Sequence, residues 1–218
     1  MKKQTLEFMK KFIFRYTNLA RPKYNYALEP IQLAEIIKGI DSIIALDKKT
    51  CIIEIGVARG VTTRFIAEHI KLQQHKVNYY CIDTFSSFTK SDLDFEINHR
   101  GKNRKELIGF GYNDYNVWKN NFKEFDFITA IQTDCSEFDF SKLKPIDFCF
   151  LDVDLYIPTK NVLENIWEHM SENSLIIVDD VLPNNSWDGA YQAFMEFVKD
   201  KKLDYKIVGN KCGIIKKQ

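Results

Sequence analysis

The chain has 218 residues, of which 45% are hydrophobic, enough for the core of one α/β domain. Its 31 basic and 30 acidic residues leave a formal charge of +1, which gives no general electrostatic pull toward nucleic acid or anionic lipid and favours a small-molecule partner. Five well-separated cysteines, Cys51, Cys81, Cys135, Cys149 and Cys212, form no C-x-x-C pair and read as reduced thiols, and no run reaches the roughly 18 apolar residues of a membrane span.

At the start, Glu7, Lys10, Lys11 and Arg15 break the apolar run that a signal peptide needs, so a cytoplasmic location is expected. The segments "LEFMKKFIFRY" and "PIQLAEIIKGIDSIIAL" place apolar residues three and four apart and predict two helices, able to pack on a second subunit, as in a homodimer, or to cover the active site. "TCIIEIGVARG" is a β-branched strand turning into the amphipathic helix "VTTRFIAEHI", and "KVNYYCID" is a second strand. From Thr84 to about Phe125 the chain is polar, aromatic and charged; a loop of that length predicts internal helices and a lid. Then follow the strand "FDFITAIQTD", the strand "IDFCFLDVD", the helix "TKNVLENIWEHM", the strand "SLIIVDD" and the helix "AYQAFMEFVKD". The closing "YKIVGNKCGIIKK" reads as a hairpin with a two-residue turn at Gly209 and Asn210. The expected organisation is an N-terminal helical segment over residues 1–45 and a main domain over 46–218, with 84–125 as lid or insertion.

Strands alternating with helices imply a parallel sheet covered on both faces, whose sites lie at the carboxyl ends of the strands. Those ends are acidic. Glu54 precedes the turn at Gly56, and Gly60 opens the following helix; an acid there repels phosphate but suits a cationic amino group, and the spacing is not that of a pyrophosphate-binding G-x-G-x-x-G turn. Asp83 ends the second strand where a carboxylate can accept bonds from ribose hydroxyls, and Asp134 ends the third within reach of an adenine amine. Amino acid, ribose and adenine together describe S-adenosylmethionine.

Two further strands end in Asp152 and Asp154 and in Asp179 and Asp180. If neighbours, these ends lie about 4.8 Å apart. Two carboxylates about 4 Å apart repel by roughly 4 kcal/mol at an effective dielectric near 20. Raised pKa values, an intruding lysine or arginine, or a divalent cation relieves this; the nearest basic residue in sequence is Lys160. An all-oxygen site favours Mg²⁺, with Mn²⁺ or Ca²⁺ as competitors.

Over residues 45–218 the chain resembles the class I S-adenosylmethionine-dependent methyltransferases, through "EIGVARG", "CIDTF" and the closing hairpin. Within them "LDVDLYIPTKNVLENIWEHMSENSLIIVDD" is similar to the metal-dependent macrocin O-methyltransferase type, which methylates sugar hydroxyls. A departure is Asn173-Ser174 where that type carries glycines; Asn tolerates the left-handed conformation such a turn requires. The resemblance implies a Rossmann-like, doubly wound, mostly parallel seven-stranded sheet with an antiparallel C-terminal hairpin strand. It assigns Asp152, Asp179 and Asp180 as metal ligands and Asp154 as a ligand or substrate contact.

The implied reaction is O-methylation of a sugar, sugar conjugate or similar small molecule, with Asp152 at the catalytic centre. The lysine that catechol-type relatives carry after the strand-four aspartate is absent here, where Val153, Asp154 and Leu155 follow. His99, in the insertion, is the candidate base in its place, imidazole having a suitable pKa, and reads otherwise as an exposed loop histidine beside Arg100. Phe85, Phe88, Phe95, Phe110, Tyr112, Tyr115 and Trp118 form either an aromatic wall for adenine or sugar, or packing beneath the insertion. Arg100, Lys102, Arg104 and Lys105 read as a solvated face or as contacts to a substrate phosphate. Two other classes compete: an NAD(P)-dependent oxidoreductase, opposed by the glycine spacing, and a non-catalytic protein that kept the fold.

Overall fold

The computed structural model describes residues 2–44 and 49–218. The expected boundary between residues 45 and 46 lies outside them.

Seven strands form one sheet: β1 (Thr50–Ile55), β2 (Val77–Asp83), β3 (Ile128–Gln132), β4 (Ile146–Leu151), β5 (Met170–Val178), β6 (Tyr205–Val208) and β7 (Cys212–Lys216). Their order is β3-β2-β1-β4-β5-β7-β6, and all pairs are parallel except those made by β7. Every residue of β1 and of β4 is buried, as befits central parallel strands covered on both faces. The order reverses between β1 and β4, so a crevice opens at their carboxyl ends.

One face of the sheet carries α2 (Pro30–Ile44) and α3 (Val61–Gln73), whose Leu33, Ile36, Ile40, Ile66 and Ile70 pack on Ile52, Tyr79 and Phe148. The other carries α6 (Tyr156–Trp167) and α7 (Gly189–Asp200), with Val162, Leu163, Ile166, Phe194 and Phe197 against Ile53, Cys149 and Ile176. Helix α2 thus shares the core of the sheet. It begins with Pro30, and Gln32 Oε1 accepts the Glu29 backbone N–H at 2.7 Å. By contrast α1 (Lys2–Tyr16) leaves Leu6, Phe8, Met9, Phe12 and Phe14 exposed. The insertion contains α4 (Lys90–Asn98) and α5 (Tyr115–Asn121), as its length predicts.

Asn173 sits at φ 63°, and β5 bulges there: Met170 pairs with Ile146, then Leu175 with Phe148. The hairpin differs from the sequence reading. Val208 pairs with Cys212, so three residues, 209–211, make the turn rather than two. The carbonyl of Lys211 is held by the Val181 N–H at 2.8 Å, fixing this lysine beside the end of β5.

Candidate active site

The crevice holds a cavity of about 440 Å³, within the range of small-molecule sites. Of the residues singled out from sequence, Glu54, Gly56, Asp83, Asp134, Asp152, Asp154, Asp179 and Asp180 line it, and Gly60 and His99 do not.

Gly56 has φ 82°, and a Cβ there would lie 1.8 Å from the Asp152 carbonyl oxygen. Only glycine lets the ends of β1 and β4 approach so closely. Asp83 fixes the rest of the turn: its Oδ2 accepts the N–H groups of Val57 at 2.8 Å and Ala58 at 3.0 Å, and its Oδ1 that of Phe85 at 2.6 Å. Ala58, at φ 45°, is held in the left-handed region by these bonds. Gly60 serves packing: a Cβ there would meet Phe122 at 2.5 Å and Trp118 at 2.9 Å.

Glu54 is fully buried and accepts a hydrogen bond from the Tyr79 hydroxyl through Oε2, while Oε1 has no partner among the described residues. Burial pushes its carboxyl up to about 7, against the pull of the tyrosine. A buried, half-satisfied carboxylate on a cavity wall fits a ligand that brings a cationic donor. Asp134 Oδ1 accepts the Ser136 N–H at 2.8 Å. Beside it stands Asp92, buried, its pKa raised by burial and by Asp134 and Glu96.

The acid cluster lies at the other side of Gly56. Carboxylate oxygens of Asp152, Asp154 and Asp180 lie within 4.8 Å of one another. Octahedral Mg²⁺ at about 2.0–2.1 Å per bond needs ligand oxygens between about 2.9 and 4.2 Å apart, so this set fits after slight contraction. Burial, and then the neighbouring carboxylates, push Asp152 and Asp154 well above the ordinary range. Asp154 and Asp180 have φ of 62° and 56°, a conformation that turns their side chains off the strand direction and into the cavity.

Asp179, expected among the ligands, is held differently. Its Oδ1 accepts Gln32 Nε2 at 2.6 Å and its Oδ2 accepts Lys211 Nζ at 2.9 Å. Lys211 also donates to Asp180 Oδ1 at 2.7 Å. An intruding lysine therefore does exist, 31 residues beyond Asp180 in sequence, and it neutralises one side of the cluster. Asp152 and Asp154 keep only the weaker, more distant influence of that charge.

The insertion lines the cavity with Phe88, Phe110 and Tyr112, joined by Trp187 from the loop before α7. Phe85, Tyr115 and Trp118 pack together beneath it, and Phe95 stacks on Tyr156. The predicted aromatic cluster thus divides between wall and core. Arg100 bonds Glu96 at 2.7 Å and Asp188 at 2.6 Å, and Lys102 lies 2.5 Å from Asp188, so this basic pair ties the insertion to the start of α7 instead of facing a phosphate. His99 is exposed at the end of α4, stacked on Phe95 with centroids 4.7 Å apart. The arrangement leaves the expected imidazole base outside the cavity.

Sequence reasoning missed Gln32, Asp92, Trp187 and Lys211. Only long-range pairing brings them to the crevice, and no local signal marks them.

The methyltransferase-domain family profile matches residues 53–181, more than half of the chain. No curated protein sequence matches it closely. Among solved structures, the O-methyltransferase NovP superposes with a TM-score of 0.67 at 14% identity, covering 86% of this chain and 79% of that one. CalS11, a calicheamicin methyltransferase, gives a TM-score of 0.62 at 17% identity over 98% of this chain and 91% of its own. A Streptococcus mutans protein solved in complex with SAH gives 0.53 at 15% identity, over 88% and 100% of the two chains. The family match sets aside a nicotinamide oxidoreductase. The chain belongs to the methyltransferase-domain family and is a class I S-adenosylmethionine-dependent methyltransferase.

Proposed function

We propose that the protein methylates a hydroxyl of a sugar or sugar conjugate, assisted by a divalent cation held by Asp152, Asp154 and Asp180, with Mg²⁺ the first choice and Mn²⁺ or Ca²⁺ the alternatives. The observation that carries this reading is the convergence of those carboxylates in the same cavity as Glu54. When bound, S-adenosylmethionine supplies an electrophilic methyl group on a sulfonium. When bound, the cation supplies Lewis acidity that makes a sugar hydroxyl more acidic.

Glu54 Oε1 would receive the amino group of the cofactor, Gly56 would leave bare backbone against it, and Asp83 and Asp134, which line the same cavity, would meet ribose and adenine. Transfer of the methyl group would form the new C–O bond as the S–C bond breaks, and the hydroxyl proton would pass to a carboxylate oxygen of Asp152 or Asp154 that the cation leaves free. Asp179 positions the cluster through Gln32 and Lys211. The aromatic wall of Phe88, Phe110 and Trp187 excludes water and stacks on a ring.

A sugar acceptor is also supported by CalS11, described as a TDP-rhamnose 3'-O-methyltransferase. Free, buried cysteines fit a reducing, cytoplasmic setting, and among the described residues no helix is long and apolar enough to cross a membrane. The solvent-facing apolar side of α1 is the surface through which a homodimer would form, since a second copy presents the same stripe.

The test is methyl transfer from labelled S-adenosylmethionine to a panel of free and nucleotide-linked sugars. We expect transfer that needs Mg²⁺, is stopped by EDTA, and falls about 100-fold or more in Asp154→Asn and Asp180→Asn. Transfer at an unchanged rate in EDTA, or retained by both variants, contradicts the reading.

A further inference from the structure

A second cluster of ligating groups lies at the opposite end of the sheet. Asp41 sits in the last turn of α2, His69 in α3, and His75 just beyond α3, two residues before β2 begins at Val77. The His69 Nε2 to Asp41 Oδ1 distance is 2.6 Å, that from His75 Nε2 to the same oxygen is 3.3 Å, and the three donor atoms lie within 4.8 Å of one another.

Local backbone structure builds this convergence. Gln74 takes the left-handed conformation at φ 57°, its N–H bonds the Lys71 carbonyl at 3.3 Å, and the His75 N–H bonds the Ile70 carbonyl at 3.1 Å. That pattern is a Schellman turn, which reverses the chain and folds His75 back on the last turns of α3. The two imidazoles end 5.8 Å apart between centroids, both presenting Nε2 to one carboxylate oxygen.

We propose that Asp41, His69 and His75 bind a borderline divalent cation, Zn²⁺ foremost, that ties the end of α2 to the end of α3. Two imidazole nitrogens and one carboxylate oxygen are ordinary zinc ligands, whereas Mg²⁺ prefers oxygen alone. Tetrahedral zinc with bonds of about 2.0–2.1 Å places its ligand atoms about 3.3 Å apart. One observed separation already has that value, and the 2.6 Å contact needs only a small side-chain rotation. Asp41 is 48% exposed at its side chain, so water completes the fourth position. Because α2 also carries Gln32 to Asp179, the cation anchors the far end of the helix that steadies the acid cluster. This site is independent of the proposed acceptor and of the Mg²⁺ site.

The test is calorimetric titration of the full chain with ZnCl₂ at saturating MgCl₂, paired with thermal melts. One equivalent of Zn²⁺ is expected to bind and raise the melting temperature. His69→Ala, His75→Ala and Asp41→Asn should each weaken that binding at least tenfold and abolish the shift, while SAH binding stays unchanged. If circular dichroism shows that an alanine variant is misfolded, His75→Gln, which keeps size and hydrogen bonding, must give the same loss. Co²⁺ in place of Zn²⁺ should give tetrahedral d–d bands in the parent and not in His75→Gln. No saturable Zn²⁺ binding, or binding that survives in both histidine variants, overturns the proposal.

Discussion

At the scale of single residues, burying the carboxyl of Glu54 carries an electrostatic cost. Burial pushes its carboxyl up to about 7 in the folded protein, from an ordinary value of 4.5. The folded state therefore holds a proton that the unfolded chain has released. The stability linked to that proton is present in full below pH 4.5 and is lost as pH rises through about 7, up to about 3 kcal/mol in all. Asp152, Asp154 and Asp179 shift in the same direction, so the difference between parent and Glu54→Gln isolates this one group. Melting curves from pH 4 to 8 should show the variant losing less stability than the parent, while its affinity for SAH falls. Parallel profiles would refute the assignment. The sequence marked Glu54 correctly as a strand-end acid, but not its orphaned oxygen, which depends on how Tyr79 of the next strand meets it.

Among the elements, strands were easier to read than the insertion, for a physical reason. The strands β1 and β4 and the last four residues of β5, Leu175–Val178, are near-continuous apolar runs ending in acid, and a buried parallel strand requires little else, whereas the polar start of β5 hid its first residues, so that Met170 read as the end of a helix. Helix α4 buries Asp92 and Glu96, one turn apart, so its inward face is charged and no apolar periodicity exposes it. Glu96 receives the Tyr156 N–H at 2.7 Å at the start of α6 and the Arg100 guanidinium at 2.7 Å. This buried pair holds the insertion, and Arg100→Ala leaves Glu96, only 1% exposed, without its cation. Urea denaturation should show a loss of about 3 kcal/mol or more. A change under about 1 kcal/mol would mean that the latch contributes no more than a surface pair. The lengthening of the hairpin turn by one residue had a similar origin: Gly209 and Asn210 mark a turn, but the bond from the Val181 N–H to the Lys211 carbonyl draws a third residue into it.

For the molecule as a whole, topology concentrates charge. The reversal of strand order between β1 and β4 brings acids from separate strand ends to one crevice, and α2 and the β6–β7 turn reach over the rim with Gln32 and Lys211. The sequence made the acids legible because each ends an apolar run. It concealed the lysine, since 31 residues separate Lys211 from its partner Asp180. Lys211 answers Asp179 and Asp180, leaving Asp152, Asp154 and the remaining side of Asp180 as the proposed ligands of a further cation. Calorimetric titration with MgCl₂ in the presence of SAH, on the parent, Asp152→Asn and Asp180→Asn, tests this division most directly. The account predicts one Mg²⁺ per chain in the parent and affinity at least tenfold weaker in each variant, with SAH still bound by all three. Equal Mg²⁺ affinity in parent and variants, or none in the parent, would contradict it.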